Sequence, residues 1–561
     1  MRLAFVGIRH YRGIQSLDLP LGSTTTLIGE NAYGKSNLLD ALLVCLGAGA
    51  VDGEFAFLPG DFHPRAFPAG SAIAALDHEP IVITLGFRET KDDEWQSDDD
   101  CEQLRSHVYA GQRGDARLTF RVVATLAPDG ERIDVKTVFI DADDRVKGGP
   151  TGQATIELLR KRSPFLLLKA DRYFTRPSRV DRLAHEDGAT RPLPLEDRLA
   201  AEVTEAYLAL SRLHEPRRNA DFERGLDAAR AYVERFGGDR LRERVQRFLP
   251  QQPPANGAGV SLAARSMALM MILGGILDAK GANTFGPGAM PTVAIEDAEA
   301  YLHPVVLASV AAVMQAIPAQ KLITTNSGEL LSMLPLPSLR RLVRGTDRTH
   351  VYRTGVDSLS NDDLRRIGYH VKANRGTSLF ARCWLLVEGE SEFWLLPQLA
   401  EVLGVDFALE GVRLMEFAQC GVDPLIRFAD DLGIEWHILC DGDSAGRGYR
   451  ATAESLLRGR PRDKHISIIA QRDIEHCLWE AGYAEVYRNA VKVSAPKRFD
   501  RRLRVENPTP TIERAVRFRS KPGMAITVAE AAAARGPEGV PAPLKHAILA
   551  TAALARASVP E

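Results

Sequence analysis

The chain has 561 residues, 45% hydrophobic and 26% charged, the composition of a globular protein with material for roughly three to four domains. Lys+Arg of 71 against Asp+Glu of 73 gives a formal net charge of −2, so bulk charge does not advertise a nucleic-acid partner, although a local basic face can hide inside a balanced total. Cysteines 45, 101, 383, 420, 440 and 477 form no CxxC pair, which excludes a disulfide framework or a zinc site and predicts reduced core thiols.

Met1-Arg2-Leu3-Ala4-Phe5-Val6 begins directly in a strand pattern, with no apolar signal region and cleavage site. The most apolar stretch, Leu269–Leu277, is too short to span a bilayer, so a cytoplasmic protein without a membrane partner is expected. Strands are predicted at Leu3–Ile8 and Thr24–Ile28 around Gly13, and a helix at about Ser36–Gly47. Further strand runs lie at 79–88 and 117–125, while acidic Lys91–Cys101 reads as a solvated loop. Phe165–Leu168 is another strand.

Leu195–Arg247 carries a long charged helical pattern broken at His214-Glu215-Pro216, and Gln251–Gly257 has linker composition. A buried helix at Ser261–Leu277 and strands at Thr292–Ile295 and Lys321–Thr324 follow. From Arg382 strands and helices alternate over 384–388, 391–403, 412–417, 423–432, 436–440 and 466–470, the rhythm of a small, mostly parallel sheet. The Ala-rich tail after Ile526 is predicted helical, with a Gly/Pro break at 536–542.

Gly29-Glu30-Asn31-Ala32-Tyr33-Gly34-Lys35-Ser36 fits GxxxxGK[ST] and sits between a strand and a helix. In that setting backbone N–H groups wrap phosphates, Lys35 reaches the β/γ oxygens of ATP and Ser36 ligates Mg2+. Such a loop needs an acidic strand end, which Thr292-Val293-Ala294-Ile295-Glu296-Asp297 supplies: Glu296 for the metal or its water shell, Asp297 to orient or activate water. Gly-Glu-Asn-x-x-Gly-Lys-Ser-Asn, ending at Asn37, together with Phe5-Val6-Gly7-Ile8-Arg9-His10-Tyr11-Arg12-Gly13, resembles the N-terminal lobe of ABC-type ATPases of the SMC/RecF group. The resemblance implies lobes split by a helical insertion, and a signature motif at Ser261-Leu262-Ala263-Ala264-Arg265 that reaches the nucleotide on a second subunit. Two positions depart from that pattern: Ala263 replaces a glycine, and Asn326 in Ile323-Thr324-Thr325-Asn326-Ser327 replaces the switch histidine. Asn326 can hydrogen-bond a phosphate but carries no charge, so ATP binding is expected and brisk hydrolysis is not.

Trp384-Leu385-Leu386-Val387 runs into Glu388-Gly389-Glu390-Ser391-Glu392, and Trp436-His437-Ile438-Leu439-Cys440 runs into Asp441-Gly442-Asp443. Two adjacent parallel strands would bring Glu388, Asp441 and Asp443 together, and crowded carboxylates call for a divalent cation such as Mg2+. Asp-Gly is also an ordinary turn signal, and Glu392 in a first helical turn interacts favourably with the helix dipole. Arg472-Asp473-Ile474-Glu475-His476 is placed to add carboxylates for a second metal, Glu475 ahead of Asp473. Lys521, before a helix, is a candidate for neutralising charge on a scissile phosphate.

The Glu388 and Asp441-x-Asp443 pattern resembles the Toprim domain. Joined to an ABC-type ATPase it resembles the overcoming-lysogenization-defect (OLD) family, its standalone branch in particular. That resemblance implies an α/β fold: an ABC-type P-loop ATPase domain with a helical insertion, followed by a Toprim α/β domain. The expected boundaries are 1–190 and 256–380 for the ATPase parts, 191–255 for an insertion able to dimerise, and 381–561 for the Toprim domain with its C-terminal helices. It further implies two-metal DNA cleavage with Mg2+ or Mn2+, on Glu388, Glu392, Asp441, Asp443 and Glu475, with Lys521 beside the metals, gated or positioned by an ATPase homodimer. A role in phage defence or DNA repair follows from the resemblance alone. The alternatives are an ATP-dependent DNA clamp or scaffold with a degenerate Toprim site, and a topoisomerase- or primase-like enzyme. The last lacks a recognisable DNA-gate or polymerisation domain.

Overall fold

The computed structural model describes residues 1–30, 33–47, 55–63, 78–98, 101–111, 114–128, 130–148, 151–168, 288–300, 304–317, 319–355, 358–374, 376–494 and 508–558. The expected helices at 195–247 and 261–277, the linker at 251–257, and the site candidates Asn31 and Ser261 lie outside the described residues. The chain divides into a first unit, Met1–Val351, and a second, Tyr352–Glu561.

Period-two burial builds the first unit's sheet. Strands β1 (Arg2–Tyr11), β2 (Ile14–Pro20), β3 (Thr24–Ile28), β4 (Ile81–Arg88), β5 (Tyr109–Ala110), β6 (Ala116–Leu126) and β7 (Ile133–Ile140) are followed by β8 (Phe165–Leu168), β9 (Thr292–Ile295), β10 (Gln320–Thr324), β11 (Leu339–Arg344) and β12 (Thr349–Tyr352). In β4 the residues Ile81, Ile83, Leu85 and Phe87 are buried and their alternates are not, and β6 repeats this with Leu118, Phe120, Val122 and Ala124. One face of each strand therefore joins a core that also takes Leu38, Leu39 and Leu42 of the helix Lys35–Leu46.

The sheet has two halves. β1 pairs antiparallel with β2 and β4, and β4 with β6. β11, β3, β10, β9 and β8 run parallel in that order. β3 and β9 thus flank β10, and the C-terminal ends of all three open on one edge. β2 was absent from the sequence-based expectation; it pairs with β1 through a two-residue Arg12-Gly13 turn, with Arg12 at φ 49° and Tyr11 opposite Ile14. The segment 91–101 is not a simple solvated loop. Glu94–Ser97 form a helical turn, Trp95 is fully buried, and Glu94 pairs with the Met1 ammonium. Burying an indole outweighs the acidity of neighbours that stay in water, Asp92 and Asp93 among them.

The second unit is built on β13 (Cys383–Val387), β14 (Val412–Glu416), β15 (Glu435–Cys440) and β16 (Ile466–Ile468), ordered β14-β13-β15-β16 and parallel throughout. β13 is buried at every position, as a central parallel strand covered on both faces must be. Helices Glu390–Val402, Val422–Asp431 and Ser444–Ser455 connect the strands, and Lys521–Arg535 packs along Glu390–Val402. The Ala-rich tail is helical at Ala542–Ala557 after a short turn at Gly536–Gly539. A buried polar chain ties β15 down: His437 bonds the Lys464 carbonyl and Ser467 Oγ, each at 2.8 Å, and Ser467 Oγ meets His546 Nδ1 at 2.7 Å. Burial pushes His437 down to about 3, so this imidazole is neutral. Among the described residues no helix is long and apolar enough to cross a membrane, and all six cysteines are buried free thiols.

Candidate functional site

The first edge carries the P-loop. Gly34, at φ 92°, starts the helix Lys35–Leu46, and a Cβ there would stand 2.8 Å from Ile14 Cγ1, so only glycine fits the turn. Lys35 is 4% exposed; its Nζ donates to the Gly29 carbonyl and, at 3.0 Å, to Asn326 Oδ1. Burial holds this ammonium below its ordinary value against the pull of Asp297, Glu299 and Glu30. Ser36 is exposed on the first helical turn, and the Asn37 amide lies over Gly13. Arg12 bridges from that turn to Asp40 of the same helix (2.6 Å) and to Asp61 (2.9 Å).

Glu296 is buried just past β9, and the chain turns at Asp297 with φ 46°, whose N–H donates to Thr324 Oγ1 at 3.0 Å. Glu299 is a residue the sequence reading passed over. It accepts from Thr325 Oγ1 (2.8 Å) and from the Asn326 N–H (2.7 Å), and so sets the residue that holds Lys35. Its only signal in the sequence was an acid two positions past a strand-end acid, a pattern too common to single out. Gly29, Gly34, Lys35, Ser36, Asn37, Glu296 and Asp297 thus stand at the ends of β3 and β9, with Asn326 two residues past the end of β10, the strand between them.

The second edge carries carboxylates. Glu388 follows β13 and Asp441 follows β15, and these strands are direct neighbours with Leu386 opposite Ile438. Gly442 lets the turn close: a Cβ there would stand 2.7 Å from the Ala470 carbonyl oxygen and 2.8 Å from that of Ile469. Asp443 caps the helix Ser444–Ser455, accepting from the Gly446 N–H at 2.7 Å. Asp473 caps Ile474–Leu478 and accepts from the His476 N–H (2.9 Å) and ring Nδ1 (2.5 Å). Glu475 accepts from Ser391 Oγ at 2.6 Å. The difference between the two acids is chemical: Asp473 is spent on a cap and an imidazole, whereas Glu475 accepts from the hydroxyl of Ser391, on the first turn that carries Glu392.

These groups act on one another. Burial, then Glu392 and Glu388, push Asp441 up to about 8. Burial, with Glu475 and Glu388 adding to it, pushes Glu392 up to about 7; its side chain is 5% exposed. Glu388 is raised by burial and by Asp443, with Lys521 pulling the other way, as it does on Glu392. Among the described residues, Glu388 Oε2 is buried without a hydrogen-bond partner, an expensive state for a carboxylate oxygen. No three His, Cys, Asp or Glu side chains among the described residues stand in a ligating arrangement as placed. The donor set nevertheless fits Mg2+ or Mn2+: hard carboxylate oxygens, mutually repelling and one orphaned. Two further side chains join this edge without a sequence signal. Glu416 ends β14 beside Val387 and is raised by burial and by Glu390, and exposed Arg447 donates to the Gly442 carbonyl at 2.9 Å.

The chain thus carries a GxxxxGK[ST] loop at one parallel sheet edge and a group of carboxylates at the edge of a second, all-parallel sheet. The chain belongs to the family described as "Protein of unknown function (DUF2813)", whose profile matches residues 1–235 and 260–378. The profile described as "Overcoming lysogenization defect protein-like, TOPRIM domain" matches 379–443, the span holding Glu388, Glu392, Asp441 and Asp443. The chain is 33% identical over 563 aligned residues, 97% of each chain, to the "Uncharacterized protein YbjD" of Escherichia coli K12. Among solved structures it aligns with the C-terminal region of the Burkholderia pseudomallei OLD protein at 19% identity and TM-score 0.27, over 32% of this chain and 100% of that one. It also aligns with the SMC head domain from Thermotoga maritima at 11% identity and TM-score 0.29, over 64% and 100%.

Proposed function

We propose that this protein is a divalent-metal-dependent DNA endonuclease whose carboxylate edge performs phosphodiester hydrolysis and whose P-loop unit binds ATP and, as a homodimer, gates or positions it. The observation that carries the reading is the orphaned, buried Glu388 Oε2 among carboxylates that raise one another. Glu388, Glu392, Asp441, Asp443 and Glu475 would hold the ions, and Mg2+ or Mn2+ bound there supplies charge neutralisation and water activation. The chain's own groups do the rest. Asp441 and Glu392 lose their protons to become ligands. Ser391 orients Glu475, and Lys521 offsets negative charge at the edge.

At the P-loop, phosphate oxygens would replace the Gly29 carbonyl and Asn326 amide as acceptors for Lys35. Ser36 and Glu296 would take the Mg2+ of ATP, and Asp297 would orient water. In this reading 1–190 and 256–380 are the ATPase parts, the insertion 191–255 serves dimer contacts, 381–561 is the Toprim nuclease domain, and Ser261 and Asn31 complete the nucleotide site. The same reading places the protein in the cytoplasm.

The deciding experiment is incubation of supercoiled plasmid with purified protein and Mg2+ or Mn2+, for wild type and for Asp441→Ala plus Asp443→Ala. Nicking or linearisation by the wild type alone is expected. Cleavage by both proteins, or by neither in either metal, sinks the reading and leaves the DNA clamp with a degenerate Toprim site.

A further inference from the structure

The helix Thr509–Arg519 is tied to the acidic edge at its start and runs at its end into the helix that carries Lys521. At its start Thr509 Oγ1 meets His476 Nε2 at 2.9 Å, and the same imidazole contacts Asp473 through Nδ1. At its end Ser520 caps the next helix, accepting from the Gly523 N–H at 3.2 Å, and that helix opens with Lys521. Between these anchors the helix spans about 16 Å at 1.5 Å per residue.

Its inner face is Thr511, Ile512 and Ala515, all buried. Its outer face is basic and carries one exposed aromatic ring. Arg514, Arg517 and Phe518 stand at i, i+3 and i+4, hence on one stripe, with Arg519 and Lys521 following, and all five are exposed. Phe518 is 51% exposed. Among the described residues none of the three arginines forms an ion pair. The chain is balanced overall at −2, whereas the exposed positions of this helix carry Arg514, Arg517 and Arg519 against the single acid Glu513, so the stripe is locally basic beside an acidic edge.

We propose that the outer face of helix Thr509–Arg519 docks one strand of DNA with unpaired bases, Arg514 and Arg517 taking backbone phosphates and Phe518 stacking on a base. The proposal rests on the nuclease reading and adds to it the substrate class, single-stranded segments or frayed ends. Charge complementarity selects a polyanion. An aromatic ring held half out of the surface finds its partner on a base that is already unstacked, since the faces of paired bases inside a duplex are covered. The strand so held leads to Lys521, whose charge acts on Glu388 and Glu392.

The test uses the full chain, metal-free in EDTA so that nothing is cut, with a fluorescein-labelled 20-nucleotide oligothymidine and a 20-base-pair duplex read by anisotropy. Phe518→Ala is expected to weaken oligothymidine binding about 5- to 150-fold, the equivalent of a stack worth about 1–3 kcal/mol, with duplex binding changed less than about twofold. Phe518→Tyr should restore it. Arg514→Ala plus Arg517→Ala should lower the slope of log affinity against log salt by about 1.4 on the single strand. An unchanged Phe518→Ala, a Tyr variant as weak as the Ala variant, or displacement by polyglutamate as effective as by unlabelled oligothymidine overturns the proposal. Plasmid cleavage by wild type with unaltered binding in these variants would overturn the docking face while leaving the nuclease standing. Ridge-dependent strand binding without cleavage in any metal would do the reverse.

Discussion

The two edges are built alike and are in opposite electrostatic states. Each lies at the C-terminal ends of parallel strands, where loops are free to carry chemistry. At the P-loop the Lys35 ammonium is answered from within the chain: Gly29 and Asn326 hold it, and Glu299 holds Asn326. At the carboxylate edge burial and mutual repulsion outweigh the pull of Lys521, so Asp441 and Glu392 are pushed up to about 8 and about 7, and among the described residues Glu388 Oε2 has no partner. A saturated site is stable without its ligand and changes state when the ligand displaces an internal bond, which suits a gate. A frustrated site is completed by its cofactor, which suits chemistry.

The sharpest way to break that contrast is at Asp441. Asp441→Asn keeps the shape and removes the charge, and plasmid cleavage should fall by more than about 100-fold, beyond the 10- to 100-fold typical of residues that merely orient ligands. Activity within a few-fold of wild type would move the chemistry elsewhere. Lys35→Ala should abolish ATP hydrolysis measured by phosphate release, while cleavage stays within about tenfold. Equal loss of both would mean the two sites are not separable. Ser391→Ala frees Glu475 and should cost cleavage about tenfold, rescued by Ser391→Thr. Glu299→Gln loosens the Asn326 latch and should slow ATP hydrolysis about tenfold with cleavage untouched; a matching drop in cleavage would count against the latch.

The smallest effect is a pH-dependent one. Folded-state values for Asp441 and Glu392 lie above their ordinary ones, so in metal-free protein the protonated forms favour the fold. That contribution is fully present below about pH 4 and is lost as pH rises through about 7 to 8. The melting temperature without metal should therefore fall between pH 6 and pH 9 more in wild type than in Asp441→Asn. Because ligands must be deprotonated, stabilisation by 10 mM Mg2+ should grow over the same range, a trend readable by differential scanning fluorimetry. A Mg2+ shift that shrinks as pH rises would argue against carboxylate ligation.

Much of this was legible in the chain itself. Apolar runs ending in carboxylates placed Glu388 and Asp441 at strand ends, and GxxxxGK[ST] between a strand and a helix placed Lys35, because strand period and loop composition are local properties. The helix at Ser444–Ser455, β2 and the buried turn around Trp95 were not read. Their signals are short or outweighed by neighbouring charge, and burial against distant strands decided them.

By itself the sequence determined which residues could carry charge at each edge and that two α/β units follow one another. Only the tertiary structure decided that β13 lies beside β15, that Asp473 is spent on a helix cap while Glu475 leans on Ser391, and that Asn326 grips Lys35 across 291 residues. Those outcomes depend on strand order and on which partner reaches a buried polar group first, and neither is encoded in any local stretch of chain.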